Sequence, residues 1–140
     1  MNLNWIGLVA AACTFLGVWL GHVSVRWIER RVQSLWMPAL GAACLGLGLE
    51  AASLWTFSLS PLMAAGCGIL GMTLLWDALE FHRQERRVRR GHAPANPHNP
   101  RHARILAEHP AAGTLDWLDR DPRGQPYSDG ELRALKEFAR

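Results

Sequence analysis

Three long stretches of this chain are almost free of charge, and this restricts its fold more than any other feature of the sequence. Leu3 to Gly21 carries no charged residue, Leu35 to Phe57 carries only Glu50, and Leu59 to Leu79 carries only Asp77. A helix needs about 20 predominantly apolar residues to cross the roughly 30 Å hydrocarbon core of a bilayer. A helix of a soluble bundle would interrupt such runs with polar residues every third or fourth position. The pattern therefore predicts an all-α membrane protein with three transmembrane helices, over about 3–21, 35–57 and 59–80. No glycine or proline stands between Met72 and Arg90, so the third helix is expected to continue out of the membrane to residue 90. The whole-chain figures hide this: 49% of residues are hydrophobic and the mean hydropathy is near zero, because the charges are segregated rather than sparse.

All 15 Lys and Arg residues fall either between Arg26 and Arg31 or from Arg83 onward. With three spans, those two regions share one side, which the positive-inside rule makes cytoplasmic. The N-terminus is then outside. The tryptophans give the same orientation. Trp5 and Trp55 fall at outer ends, while Trp19, Trp36 and Trp76 fall at inner ends, as interfacial aromatic belts require. The segment from Arg26 to Trp36 reads as an inner loop able to lie along lipid headgroups. Small residues recur at four-residue spacing (Gly17/Gly21, Ala42/Gly46, Gly48/Ala52, Ala64/Gly68, Cys67/Gly71), which lets helix backbones approach closely in lipid. Three cysteines without paired spacing give no disulfide framework and no metal-ligand pattern.

The domain plan that follows is a transmembrane domain over 1–90, an extended Pro/Asn/His linker over 91–100, and a partly helical cytoplasmic tail over 101–140. In the tail, "PRHARILAEHP" reads as a short helix between prolines. "SDGELRALKEFAR" places Ser128 and Glu131 at capping-box spacing, with Leu132, Leu135 and Phe138 on one face. A stripe that small needs something to dock on.

The exit of the third span holds the most distinctive stretch, "LLWDALEFHRQERRVRRGHAPANP". Glu85 and Arg89 are an i, i+4 pair. Gly91 suits a helix C-cap, and Pro94 and Pro97 forbid continuation. Arg83, Arg86, Arg87, Arg89 and Arg90 are placed to contact anionic lipid headgroups. With these arginines tethered to a span, nucleic acid is not an expected partner. Together with "NWIGL" near the start and Gly21-His22 closing the first span, this stretch resembles a family of small bacterial membrane proteins, domain-of-unknown-function family 4491. The matching exit positions are Trp76, Glu80, Gln84, Glu85, Arg87, Val88, Gly91, Pro94, Asn96 and Pro97, and the resemblance covers about residues 1–100. The chain departs from that pattern at His22-Val23 and at Gly91-His92-Ala93-Pro94, where the family often reads His-Pro and Gly-Trp-Phe-Pro. The resemblance implies a helical membrane fold in a bacterial inner membrane and brings no activity with it.

Two sets of polar residues are candidates for function. Glu50 is the intramembrane one: a charged carboxylate there is costly, so a protonated side chain, or a polar partner such as Thr14, Ser53 or a second subunit, is expected. The other is a cluster at the inner boundary, formed by His22, Arg26 and Glu29 after the first span with Asp77 and Glu80 closing the third. No nucleophile constellation, phosphate-cradling loop or reliable metal spacing is present, so neither an enzyme nor a cofactor or metal is expected. The function predicted is a non-catalytic accessory or assembly subunit of a larger membrane complex, with a cytoplasmic docking tail. A homo-oligomeric channel or transporter using Glu50 is the alternative. A membrane enzyme using His22 with Asp77 or Glu80 is a weaker one.

Overall fold

A computed structural model describes residues 4–55 and 59–116, together with 130, 132, 133 and 137. Four helices make up the described residues, which contain no strand: α1 (Trp5–Glu29), α2 (Trp36–Ser53), α3 (Pro61–Arg89) and α4 (Pro100–Glu108). The chain forms two compact units. One comprises Met1–Ile28 with Leu35–His82, the other Glu29–Ser34 with Arg83–Arg140. Apart from the isolated residues named above, the expected C-terminal amphipathic helix lies outside the described residues.

Local chemistry sets the helix starts. Asn4 Oδ1 accepts from Gly7 N at 3.0 Å at the head of α1, and Ser60 Oγ accepts from Met63 N at 3.3 Å at the head of α3. Side-chain oxygens in this position satisfy the first orphan amides of a helix. Pro61 and Pro100 each occupy a first helical turn, where a missing N–H costs nothing.

Two helices, α1 and α3, are long and apolar enough to cross a membrane. Only 11% of the most apolar window of each is buried within the protein. Large side chains such as Phe15, Trp19, Met63 and Met72 point outward. Three spans were expected, and α2 falls short of the other two. It ends at Ser53 rather than residue 57, has 18 residues, and contains Pro38 and Glu50. At 1.5 Å per residue that is roughly 27 Å, just under the hydrocarbon core. The first helix differs the other way. It runs unbroken to Glu29, so Arg26 to Glu29 is helix rather than loop. The physical reason is plain, since nothing between His22 and Arg31 breaks a helix.

In the first unit, glycines set the contacts. Gly66 faces Val9 and Cys13, Gly17 faces Leu70 and Thr73, and Gly21 faces Asp77. Both numbers rise together, so α1 and α3 run parallel. Between α2 and α3 the order is reversed: Gly46 meets Gly71 and Leu75, Glu50 meets Gly71, and Ser53 meets Gly68. That pair is antiparallel. A Cβ on Gly46 would stand 2.9 Å from Gly71 O, so the two backbones touch directly.

The second unit has its own small core of Val88, Ala93, Ala95, Ile105 and Ala112, with Leu106 packed against it. Residues 91–100 were expected as an extended linker. Instead Ala93, Pro94, Ala95 and Asn99 are buried. The sequence reason lies in the small alanines and in the asparagines, whose hydrogen bonds are described next.

Candidate functional site

The arginine-rich end of α3 closes in a Schellman motif. Gly91 N donates to Val88 O at 3.0 Å and His92 N to Arg87 O at 2.8 Å, with Gly91 at φ 71°. Gly91 also lies hard against the carbonyl of Ala111, leaving no room for a side chain. Gly91→Ala is therefore expected to destabilise the second unit by about 2 kcal/mol, from the left-handed backbone and the displaced loop together. Accelerated proteolysis after residue 90, with the helices of the first unit intact, would register it. An unchanged digestion pattern would contradict it.

Beyond this cap, the segment "PANPHNPRH" folds back on the turn that follows α1. Asn96 Nδ2 donates to Arg30 O at 3.1 Å. Asn99 Nδ2 donates to Val32 O at 2.9 Å and Arg30 O at 3.3 Å. Arg101 Nη2 donates to Glu29 O at 2.5 Å. These carbonyls belong to the end of α1 and the turn after it, and have no intrahelical partner. Asn99 works at both ends of its side chain, since its Oδ1 accepts from Arg101 N at 3.0 Å and so caps α4.

Inside this wrap sits a buried triad. Glu29 and His102 are 1% and 0% exposed. Glu29 Oε1 accepts from Arg101 Nη2 and from His102 Nε2, each at 2.9 Å. The opposite ring nitrogen of His102, Nδ1, accepts from Asn96 N at 2.9 Å. A backbone N–H can only donate, so the His102 proton belongs on Nε2, aimed at Glu29. Arg101 Nη1 reaches Glu85 Oε2 at 3.4 Å, and Glu85 also pairs with Arg89. One buried carboxylate is thus satisfied by two donors, the arrangement of a structural lock.

In the first unit, Glu50 Oε1 is sealed from solvent and has no hydrogen-bond partner among the described residues. The partners expected for it are engaged elsewhere. Thr14 Oγ1 donates to Ala10 O at 2.8 Å, and Ser53 Oγ donates at 2.7 Å to the main-chain oxygen of Glu50 rather than its carboxylate. Both hydroxyls return to their own helix, as short side chains in helices commonly do.

The inner-boundary cluster divides. His22 and Asp77 line one groove between α1 and α3, and Asp77 has His22 and Glu80 as charged neighbours. Glu29 belongs instead to the buried triad. Arg26 is exposed on α1. Along the exit motif, Glu80, Gln84, Val88 and Pro94 are buried, whereas Trp76, Arg87 and Pro97 are exposed. Gln84 Oε1 accepts from Arg87 Nη1 at 3.1 Å. Arg83, Arg86, Arg89 and Arg90 all lie at the surface. Sequence reasoning missed Asn99, Arg101 and His102. The available signal was the density of Asn, Arg and His among three prolines. Among the described residues, no three of His, Cys, Asp and Glu stand together to hold a metal.

Residues 4–99 match the family model described as "Domain of unknown function (DUF4491)". The chain belongs to that family. The matched stretch ends at Asn99, so the Arg101 and His102 half of the triad lies beyond it. No curated protein and no solved structure matches the chain.

Proposed function

We propose that this member of the family is an integral protein of a bacterial inner membrane, crossing it three times with its N-terminus outside and its C-terminal tail in the cytoplasm, and serving as a non-catalytic accessory or assembly subunit of a larger membrane complex. The observation that carries the topology is the parallel course of α1 and α3. If both cross the bilayer in one direction, the chain must return between them, and α2 is antiparallel and lies on that path. Its roughly 27 Å length suits a crossing with slight local thinning of the bilayer. Trp36 and Trp55, both well exposed, bracket it as interfacial anchors. The basic C-terminal ends of α1 and α3 then share the cytoplasmic side. There Arg83, Arg86, Arg87, Arg89 and Arg90 meet anionic headgroups, each worth roughly 1 kcal/mol near the surface.

The accessory role rests on the outward apolar faces of α1 and α3 and on a second unit whose buried polar groups are used internally. Purification of the C-terminally tagged full chain in a gentle detergent is the test. Stoichiometric recovery of a larger membrane protein is expected. Pure protein at a discrete homo-oligomeric mass would overturn the subunit reading. It would favour the second reading, a channel or transporter, for which the sealed oxygen of Glu50 is the specific observation. In that case Glu50→Gln would abolish ion flux in proteoliposomes while leaving assembly intact.

A further inference from the structure

A groove of about 450 Å³ follows the seam between α1 and α3, lined among others by Val18, His22, Ile69, Met72, Trp76 and Asp77. That volume falls within the roughly 300–1,000 Å³ usual for small-molecule sites. Hydrocarbon forms most of its wall, and its polar groups gather at the His22 and Asp77 end. Thr73 also lines it, but its hydroxyl is committed to Ile69 O at 2.8 Å. Asp77 is only 8% exposed, and His22 and Glu80 are its electrostatic neighbours. Its carboxylate lies over Gly21, where a Cβ would come within 2.6 Å of either oxygen. A carboxylate largely withdrawn from water is costly, and a cation that brings its own N–H groups into the groove relieves it.

We propose that this groove binds a phospholipid with a primary ammonium headgroup, the ammonium on Asp77 and an acyl chain along Val18, Ile69 and Met72. Charge complementarity selects this occupant. An anionic headgroup would meet the carboxylate of Asp77 with that of Glu80 nearby. A quaternary choline carries the charge but no donor. An indole such as Trp76 favours a cation at its face. The depth agrees as well: Asp77 lies roughly 24 Å along α3 from Pro61 at 1.5 Å per residue, close to the headgroup end of a crossing. The inference rests on the membrane reading above.

The experiment uses the full chain in a gentle detergent, mixed with equal amounts of phosphatidylethanolamine, phosphatidylcholine and phosphatidylglycerol. Native mass spectrometry then reads which lipid stays bound. Retention of the ethanolamine lipid over each of the others by roughly fivefold is expected, the scale of one charge-assisted hydrogen bond near an interface. Asp77→Asn should bring the three to parity. Val18→Trp should abolish the preference by filling the groove without touching the carboxylate, and it decides the matter if the Asp77 variant does not fold. Parity in the wild type, preference for the glycerol lipid, or a preference that survives a folded variant would each overturn the proposal. A separate flotation with vesicles of the same lipids keeps the two ideas apart. Protein that fails to float with them sinks the membrane reading, whereas floating protein without the preference sinks only the lipid site.

Discussion

Glu29→Ala is expected to unfold the second unit locally while leaving the helices of the first in place. The carboxylate is 1% exposed and receives two donors, Arg101 Nη2 and His102 Nε2. Its removal leaves a fully buried imidazole N–H without an acceptor and takes from Arg101 its closest counter-charge. Breaking one partner of a buried ion pair costs on the order of 3–5 kcal/mol. The Arg101 side chain keeps 11% exposure and a longer contact to Glu85, so the lower end, about 3 kcal/mol, is the figure to expect. In hydrogen exchange that is roughly a hundredfold loss of protection. It should appear at Ala95, Ala103 and His109, whose amides are bonded to Gly113, Asn99 and Ile105. Glu85→Ala supplies the contrast. Its partner Arg89 is half exposed and its contact with Arg101 is 3.4 Å, so less than about 1 kcal/mol is at stake. Equal effects from the two substitutions would mean that the triad does not hold the unit together.

The sequence made the long helices legible because their signal is local. Charge-free runs announce α1 and α3, and Gly91 marks the stop of α3. The start of α4 at Pro100 was legible for the same reason, since proline fits a first helical turn. The triad was not legible, because its members lie 73 residues apart and share no periodicity. Glu29 reads from sequence as an interfacial charge after a span, and His102 as one residue of a short helix between prolines. Only the folded backbone brings Glu29 and His102 together. The linker was misread for a related reason. Proline and asparagine are abundant both in extended connectors and in tight wraps whose amides cap a neighbouring turn, and composition does not separate the two. The extent of α2 was overread because apolar residues continue past Ser53, whereas the helix stops there.

The α2–α3 crossing shows most clearly what residue spacing leaves open, and it carries the largest expected effect. Gly46 and Gly48 both belong to small-residue pairs at four-residue spacing, and the pattern ranks them equally. In the fold they differ completely. A Cβ on Gly46 would meet Gly71 O and Leu75 Cγ at 2.9 Å and Leu75 N at 3.0 Å, whereas one on Gly48 would meet nothing within 4 Å. Two of the Gly46 obstacles are backbone atoms of α3, which no rotamer change can move aside, so Gly46→Leu has to push the helices apart. Overpacking a tight interior typically costs about 1–3 kcal/mol. Here separation would also break the contact of Gly71 with the Glu50 side chain and admit lipid or water to a sealed carboxylate oxygen, so a loss above about 3 kcal/mol is expected. Gly48→Leu makes the same change in helix propensity two residues away and should be neutral or slightly stabilising, by up to about 1 kcal/mol. Thermal unfolding of both variants in the same detergent compares them directly. A large drop for Gly46→Leu beside an unchanged Gly48→Leu assigns the close approach to the face that carries Glu50. Equal behaviour would mean that α2 does not meet α3 at that glycine, and the enclosure of Glu50 would fall with it.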